Sequence, residues 1–91
     1  MSVTVKIPTQ LRSLTSEAAE VPAAGDTIAD VIGDLERKHP GIGDRLLSGP
    51  GELRRFVNVY VDGEDVRFLD GLATAVSPGA SVAIIPAVAG G

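Results

Sequence analysis

The residues of this sequence best suited to chemistry are its last four, Val88, Ala89, Gly90 and Gly91. Glycine has no Cβ, so Gly90 and Gly91 could pass through a narrow channel and bring the backbone close to a ligand. The group they would present is the α-carboxylate of Gly91, a poor electrophile until it is activated. Five extended residues span about 17 Å, enough to place Gly91 inside the active site of another protein. We therefore expect residues 87–91 to form a flexible, reactive tail.

The rest of the composition offers few other reactive groups. The 91 residues suffice for one small domain, and 44% hydrophobic with 22% charged residues is ordinary for a soluble globular protein. Cysteine is absent, which excludes a thiolate nucleophile, a disulfide framework and a Cys-ligated metal site. The single histidine, His39, lies at the predicted end of a helix, where a positive charge is favourable. We predict no catalytic residue, no metal site and no bound cofactor.

Charge and hydropathy exclude two further classes of partner. The net charge of −4 argues against general nucleic-acid binding, because no surplus of basic residues exists to replace phosphate counterions. The first residues lack the apolar core of a signal peptide, and no apolar stretch approaches membrane-spanning length. We expect a cytoplasmic protein with neither a membrane nor a nucleic acid as partner.

The first third of the chain predicts two strands and a helix. Apolar residues alternate over 3–7 and stop at Pro8, which indicates a half-buried strand. Residues 9–14 are predicted to be a connection, and a weaker strand is predicted over 15–21. Thr27 is a suitable N-cap, with Asp30 in the position of a capping-box acid. The helix after it has an apolar stripe at helical spacing, formed by Ile28, Val31, Ile32 and Leu35.

The helix should end at Pro40-Gly41 and be followed by a short extra turn near 42–47 and a loop at 48–51. The clearest strand covers 56–61 and turns at Asp62-Gly63, a pair typical of a two-residue type I′ turn. That turn would place Val61 opposite Glu64, Val59 opposite Val66, and Val57 opposite Phe68. The three valines, Val66 and Phe68 would then be buried on one face.

The last part of the domain is predicted to be a crossover over 69–76 with one helical turn, a turn at 77–80 and a central strand at 82–85. In that strand Val82 and Ile84 would point toward the helix, and Ile85 would point outward, near Tyr60. One helix cannot cover both faces of a sheet, so the fold class is α+β with the helix on one face. We predict a domain over 1–86 followed by the tail, 87–91.

This pattern resembles the ubiquitin-like β-grasp fold and, more specifically, the sulfur carriers of the MoaD/ThiS family. Residues 57–68 and 82–91 carry the resemblance. It implies a mixed sheet of four to five strands with one main helix on one face. Residues 55–58, 71–75 and 86–91 are most similar to the carriers that serve cysteine biosynthesis.

The resemblance also implies a function. An E1-like adenylating and sulfurtransferase enzyme would use ATP to adenylate Gly91, and a sulfur donor would convert it to a thiocarboxylate. A pyridoxal-phosphate-dependent cysteine synthase would accept the sulfur, and a metalloprotease could release the cysteine. The chain itself would be a protein co-substrate and not an enzyme.

Partner enzymes would have to recognise the folded domain. Phe56, Tyr60 and Ile85 are the candidate contact residues on the outer face of the sheet. Arg54, Arg55 and Arg67 could flank them and attract an acidic partner, or could equally be solvated charges.

Other functions remain open at this stage. The chain could be the small subunit of molybdopterin synthase or a thiamine-pathway carrier. It could also be a protein modifier joined to lysines, or a β-grasp binding module with an incidental tail.

Overall fold

A computed structural model describes residues 2–49, 52–55 and 57–86 of the chain. Its first strand, β1 (Ser2–Lys6), confirms the alternating pattern, because Val3 and Val5 are buried between exposed neighbours. The second strand, β2 (Glu20–Ala24), pairs antiparallel with β1. Both strands lie in the sheet that carries the candidate site.

The predicted connection over 9–14 contains a helix that was not predicted, and both predicted bounds of the second strand, 15 and 21, are wrong. Residues Thr9–Thr15 form a 3-10 helix whose Leu11 and Thr15 are buried, and the Thr15 hydroxyl donates to the Ala18 carbonyl oxygen at 3.0 Å. Ser16 and Glu17 then adopt positive φ angles of 55° and 66°, which turns the chain before β2 begins. Because this turn occupies part of 15–21, the strand forms later than predicted.

The main helix, α1 (Ile28–Lys38), begins where the sequence predicts. The Thr27 hydroxyl accepts a hydrogen bond from the Asp30 backbone amide at 3.3 Å, as an N-cap does. The four residues of its apolar stripe are all buried against the sheet. The predicted extra turn is a second helix, α2 (Ile42–Leu46), which follows a reversal at Gly41 with φ of 101°.

Asp34 ties α1 to β2. Its carboxylate accepts a hydrogen bond from the Ala24 backbone amide at 2.8 Å, lies 3.0 Å from the Lys38 ammonium and also pairs with Arg37. These contacts, led by the Ala24 amide, hold the pKa of Asp34 well below its usual value. The carboxylate therefore stabilises the folded state mainly in its ionised form.

The loop predicted at 48–51 is partly wrong, because two short strands, β3 (Leu47–Gly49) and β4 (Glu52–Leu53), form a separate two-stranded sheet. Strand β5 (Val57–Val61) follows, and it confirms the predicted strand over the described residues.

The turn after β5 has positive φ at both Asp62 (49°) and Gly63 (91°), as a type I′ turn requires, and Val61 lies opposite Glu64. The rest of the predicted pairing is wrong, because β6 (Glu64–Asp65) is only two residues long. The Asp65 side chain accepts from the Arg67 amide at 2.9 Å and begins a 3-10 helix at Val66–Phe68. Phe68 is therefore 87% exposed instead of opposing Val57.

The sheet has five strands in the order β2-β1-β7-β5-β6, with β7 (Ser81–Pro86) in the centre. Strand β7 runs parallel to β1 and antiparallel to β5, which makes the sheet mixed. Val82 and Ile84 are buried under the helix, and Ile85 points to the other face, as predicted. The crossover before β7 contains one 3-10 turn at Gly71–Ala73, also as predicted.

Candidate functional site

The reactive end predicted from the sequence lies outside the described residues. This applies to Val88, Ala89, Gly90 and Gly91, and to the contact residue Phe56. The structure does place the position from which the tail continues. Pro86, the last described residue, ends the central strand β7 opposite Val57.

The outer face of the sheet brings the other two predicted contact residues together. Tyr60 on β5 lies opposite Ala83, and Asn58 lies opposite Ile85. Tyr60 and Ile85 are therefore diagonal neighbours on one face, a separation that large side chains can bridge. Ile85 is 50% exposed and Tyr60 is half-buried. We call Asn58, Tyr60, Ala83 and Ile85 the outer patch.

Arg67 flanks the outer patch on the β5 side. Its guanidinium donates from Nη1 to Asn58 Oδ1 at 2.5 Å and from Nη2 to the Arg54 carbonyl oxygen at 2.7 Å. The side chain of Arg54 is directed elsewhere, because its Nε donates to the Asp44 carbonyl oxygen of α2 at 2.8 Å. Arg55 is exposed and has interactions of its own. The two hydrogen bonds of Arg67 hold its guanidinium beside the patch.

Lys6 flanks the same patch on the opposite side, and sequence reasoning missed it. Lys6 lies opposite Ala83 in the parallel pairing of β1 with β7, and it is exposed on the outer face. The sequence did indicate that Lys6 faces outward, because Lys6 alternates with the buried residues Val5 and Ile7. What could not be predicted is that β1 would be the neighbour of β7.

The described residues offer no other chemical centre. Within 2–49, 52–55 and 57–86, no group of three His, Asp or Glu side chains is placed to hold a metal ion. His39 is half-buried at the C-terminal end of α1, where its backbone amide donates to the Leu35 carbonyl oxygen at 2.6 Å. No helix in this part of the chain is long and apolar enough to cross a membrane.

Comparisons with protein families, related sequences and solved structures cover nearly the whole chain. A model of the ThiS family matches residues 5–91. The sulfur carrier protein CysO of Mycobacterium tuberculosis is 58% identical over 93 residues, covering 100% of both chains. The crystal structure of that CysO superposes with a TM-score of 0.91 over 94% of this chain and 99% of the other.

Two further relatives are informative. CysO of Amycolatopsis orientalis, crystallised in complex with BexX, is 49% identical and superposes with a TM-score of 0.91 over 98% of this chain and 99% of the other. Small archaeal modifier protein 3 of Haloferax volcanii is 43% identical over 65 residues, 71% of this chain and 70% of the relative.

The chain belongs to the ThiS/MoaD family, and its fold is the ubiquitin-like β-grasp. The family and the fold predicted from the sequence are thereby confirmed.

Proposed function

We propose that this protein is a sulfur carrier whose C-terminal Gly91 is the site of activation and sulfur transfer. The observation that carries the proposal is the 58% identity with CysO, in an alignment that covers both chains from end to end. The aligned region therefore includes Gly90 and Gly91. The position of Pro86 at the end of a central strand supports the proposal, because the tail continues from a strand that is paired with β5 as far as Pro86.

The chemistry follows from the poor reactivity of a carboxylate. An E1-like enzyme would join the Gly91 carboxylate to the α-phosphate of ATP, releasing pyrophosphate and forming an acyl-adenylate. A sulfur donor at the oxidation level of sulfide would then attack the Gly91 carbonyl carbon and displace AMP, so no oxidant or reductant is needed. The product is a thiocarboxylate, whose sulfur is a stronger nucleophile than the oxygen it replaces. No step needs a base, a metal or a nucleophilic side chain of the carrier, so the chain is a co-substrate.

The acceptor in this proposal is a pyridoxal-phosphate-dependent cysteine synthase. The Gly91 sulfur would add to an enzyme-bound aminoacrylate formed from an activated serine, giving a thioester between Gly91 and cysteine. The cysteine amine would then attack the thioester carbonyl through a five-membered ring, and the resulting amide is more stable. Hydrolysis of that amide by a metalloprotease would release cysteine and restore the Gly91 carboxylate.

The outer patch supports a role for the folded domain in binding these enzymes. Enzymes that accept the tail must hold the folded body outside their active sites. Tyr60 and Ile85 provide an exposed apolar contact on the sheet that leads into the tail, and Arg67 lies beside them. One CysO relative has been crystallised in complex with another protein, BexX, so binding to a partner is in keeping with this group of carriers.

The intact mass of the protein isolated from its native cell tests the proposal. A fraction heavier by the difference between sulfur and oxygen is expected, together with a cysteine adduct when the metalloprotease is inactivated. Mixing the thiocarboxylated protein with a cysteine synthase and its activated serine should yield the same adduct. Transfer of the sulfur to a molybdopterin or thiazole precursor instead would contradict the cysteine synthase as acceptor, but not the activation of Gly91.

A second candidate function is a protein modifier, which the 43% identity with small archaeal modifier protein 3 favours. Both functions begin with activation of Gly91, but a modifier ends as an amide to a lysine of another protein. Conjugates of higher mass that persist on a gel under reducing conditions would identify a modifier. A chain found only as carboxylate, thiocarboxylate or cysteine adduct would support the carrier.

A further inference from the structure

A cleft opens beside the base of the tail, at the point where β1 leaves the sheet. The pairing of β1 with β7 extends only to Lys6 opposite Ala83, and Pro8 then directs the chain into the first 3-10 helix. Strand β7 continues to Pro86 without β1 beside it. The space between them has a volume of about 560 Å³. We call it the tail-root cleft.

The charges of the tail-root cleft differ from those of the protein as a whole. Its described lining contains two cations, Lys6 and Arg12, and no carboxylate, although the chain carries a net charge of −4. Within the described part of the chain, neither cation forms an ion pair. A positively charged recess on an acidic protein is complementary to an acidic group of a partner.

Arg12 is held in place for such a contact. Its Nε donates to the Ile7 carbonyl oxygen at 3.0 Å, which fixes the plane of the guanidinium at the edge of the cleft. The two Nη groups make no hydrogen bond within the described residues, so they remain able to donate. A guanidinium with two available N–H groups suits a carboxylate, which can accept two parallel hydrogen bonds.

The cleft is poorly suited to pairing with an added strand. Pro8 on one side and Pro86 on the other lack a backbone N–H, and an incoming strand needs such donors for a regular ladder. Recognition would therefore depend on side chains. The apolar part of the lining includes Ile85, which also belongs to the outer patch, so one partner surface could cover both.

We propose that the tail-root cleft receives an acidic side chain of the adenylating enzyme, seated between Lys6 and Arg12 while the tail enters the active site. The inference rests on the proposed function, since it assumes an enzyme that takes the tail. Pro86 lines the cleft and precedes residue 87, so the cleft lies at the point from which the tail continues. The contact would align the carrier and would not take part in the chemistry.

Pyrophosphate exchange by the adenylating enzyme, measured at increasing carrier concentrations, tests this inference. For Arg12→Gln we expect the KM for the carrier to rise about tenfold with kcat unchanged, and for Lys6→Gln about threefold, because each removes a charge contact made in docking. Arg12→Lys keeps the charge and should recover part of the loss. Added salt should raise the wild-type KM more than that of Arg12→Gln.

Arg45→Gln is the matched control, because Arg45 is exposed on α2 and lies outside both the cleft and the outer patch. Its KM should remain within about twofold of wild type. Thermal unfolding of each variant checks that the domain is folded. Lys6→Gln changes only the side chain of an exposed strand residue. Unchanged KM in both cleft variants would overturn the inference and leave the proposed function intact.

The remaining outcomes also decide the question. No exchange with the wild-type chain would contradict the proposed function, and this inference with it. A lower KM for Arg12→Gln would indicate that the chain's own terminal carboxylate occupies the cleft, which contradicts an enzyme side chain there. Self-association of the wild type that Lys6→Gln abolishes would assign the cleft to a second copy and would likewise overturn the inference.

Discussion

The two faces of the central strands contrast sharply, although the same short segments form both. On the inner face of β5 and β7, Val59, Val82 and Ile84 are buried under α1. On the outer face, Tyr60 and Ile85 are partly exposed, with Arg67 and Lys6 on either side. The inner face provides the free energy of folding, and the outer face is available for partners. Neighbouring residues should therefore have opposite consequences when they are changed.

The largest effect is expected at the tail, residues 87–91. Deleting Gly91, or adding one residue after it, should abolish ATP-dependent activation, because the terminal carboxylate would no longer lie at the adenylation site. The unfolding temperature should stay at the wild-type value. Pyrophosphate exchange and thermal unfolding, measured on the same samples, check both parts. Undiminished exchange in either variant would show that Gly91 is not the reactive position.

Ile84 and Ile85 provide the sharpest comparison of the two faces, because they are adjacent and chemically identical. Ile84 is 4% exposed and Ile85 is 50% exposed. We expect Ile84→Ala to lower the free energy of unfolding by about 2 to 5 kcal/mol, since it leaves a cavity in the core. Ile85→Ala should lower it by no more than about 1 kcal/mol, because half of the side chain is already in water.

Denaturant unfolding measures these differences in stability. The KM in pyrophosphate exchange should show the reverse order, with the larger effect at Ile85. Ile85→Ala should raise the KM for the carrier, whereas the folded fraction of Ile84→Ala should keep the wild-type KM. Equal KM values for Ile85→Ala and wild type would remove the outer patch from the binding surface.

A smaller effect is expected at Asp34, which joins α1 to the edge strand β2. Its pKa in the folded protein is lowered from a usual value of 3.8, so its contribution is fully present above that pH. The contribution is lost as the pH falls through the lowered pKa, because the unfolded chain takes up the proton first. Asp34→Asn should therefore be less stable than wild type at neutral pH and lose less stability on acidification. Parallel pH dependences for the two proteins would contradict this.

The smallest effect is expected at Phe68. The register predicted from the sequence would bury this ring, but it is 87% exposed. Phe68→Ser should change the free energy of unfolding by less than about 0.5 kcal/mol, as exposed substitutions usually do. A loss of several kcal/mol in chemical denaturation would mean that Phe68 packs against the core after all. Val66→Ala at a fully buried position serves as the comparison.

Sequence periodicity was sufficient to predict the elements whose apolar residues repeat regularly. The helix stripe from Ile28 to Leu35 and the alternation of β5 are each long enough to fix type and facing. The type I′ turn at Asp62-Gly63 placed Tyr60 on the outer face. The expectation that Val82 and Ile84 point toward the helix placed Ile85 on that outer face as well. In this way two contact residues distant in sequence could be expected on one surface.

The misses have two physical causes, which are local side-chain hydrogen bonds and contacts between distant parts of the chain. Strand β2 has an alternation that includes only Val21 and the small Ala23, with Pro22 between them, so its pattern is weak. The capping of the 3-10 helix by Asp65 ended β6 early, and a side-chain hydrogen bond of this kind is not visible as a period. Lys6 and Arg12 form the tail-root cleft because β1 and β7, from opposite ends of the sequence, lie side by side.

The most direct test of the central claim is to locate the sulfur. The wild-type protein is incubated with its adenylating enzyme, ATP and a sulfur donor, then digested, and its C-terminal peptide is analysed by tandem mass spectrometry. We predict that one oxygen of the terminal carboxylate of Gly91 is replaced by sulfur and that no other peptide changes. Sulfur at another residue, or an unaltered C-terminal peptide under conditions that consume ATP, would contradict the account.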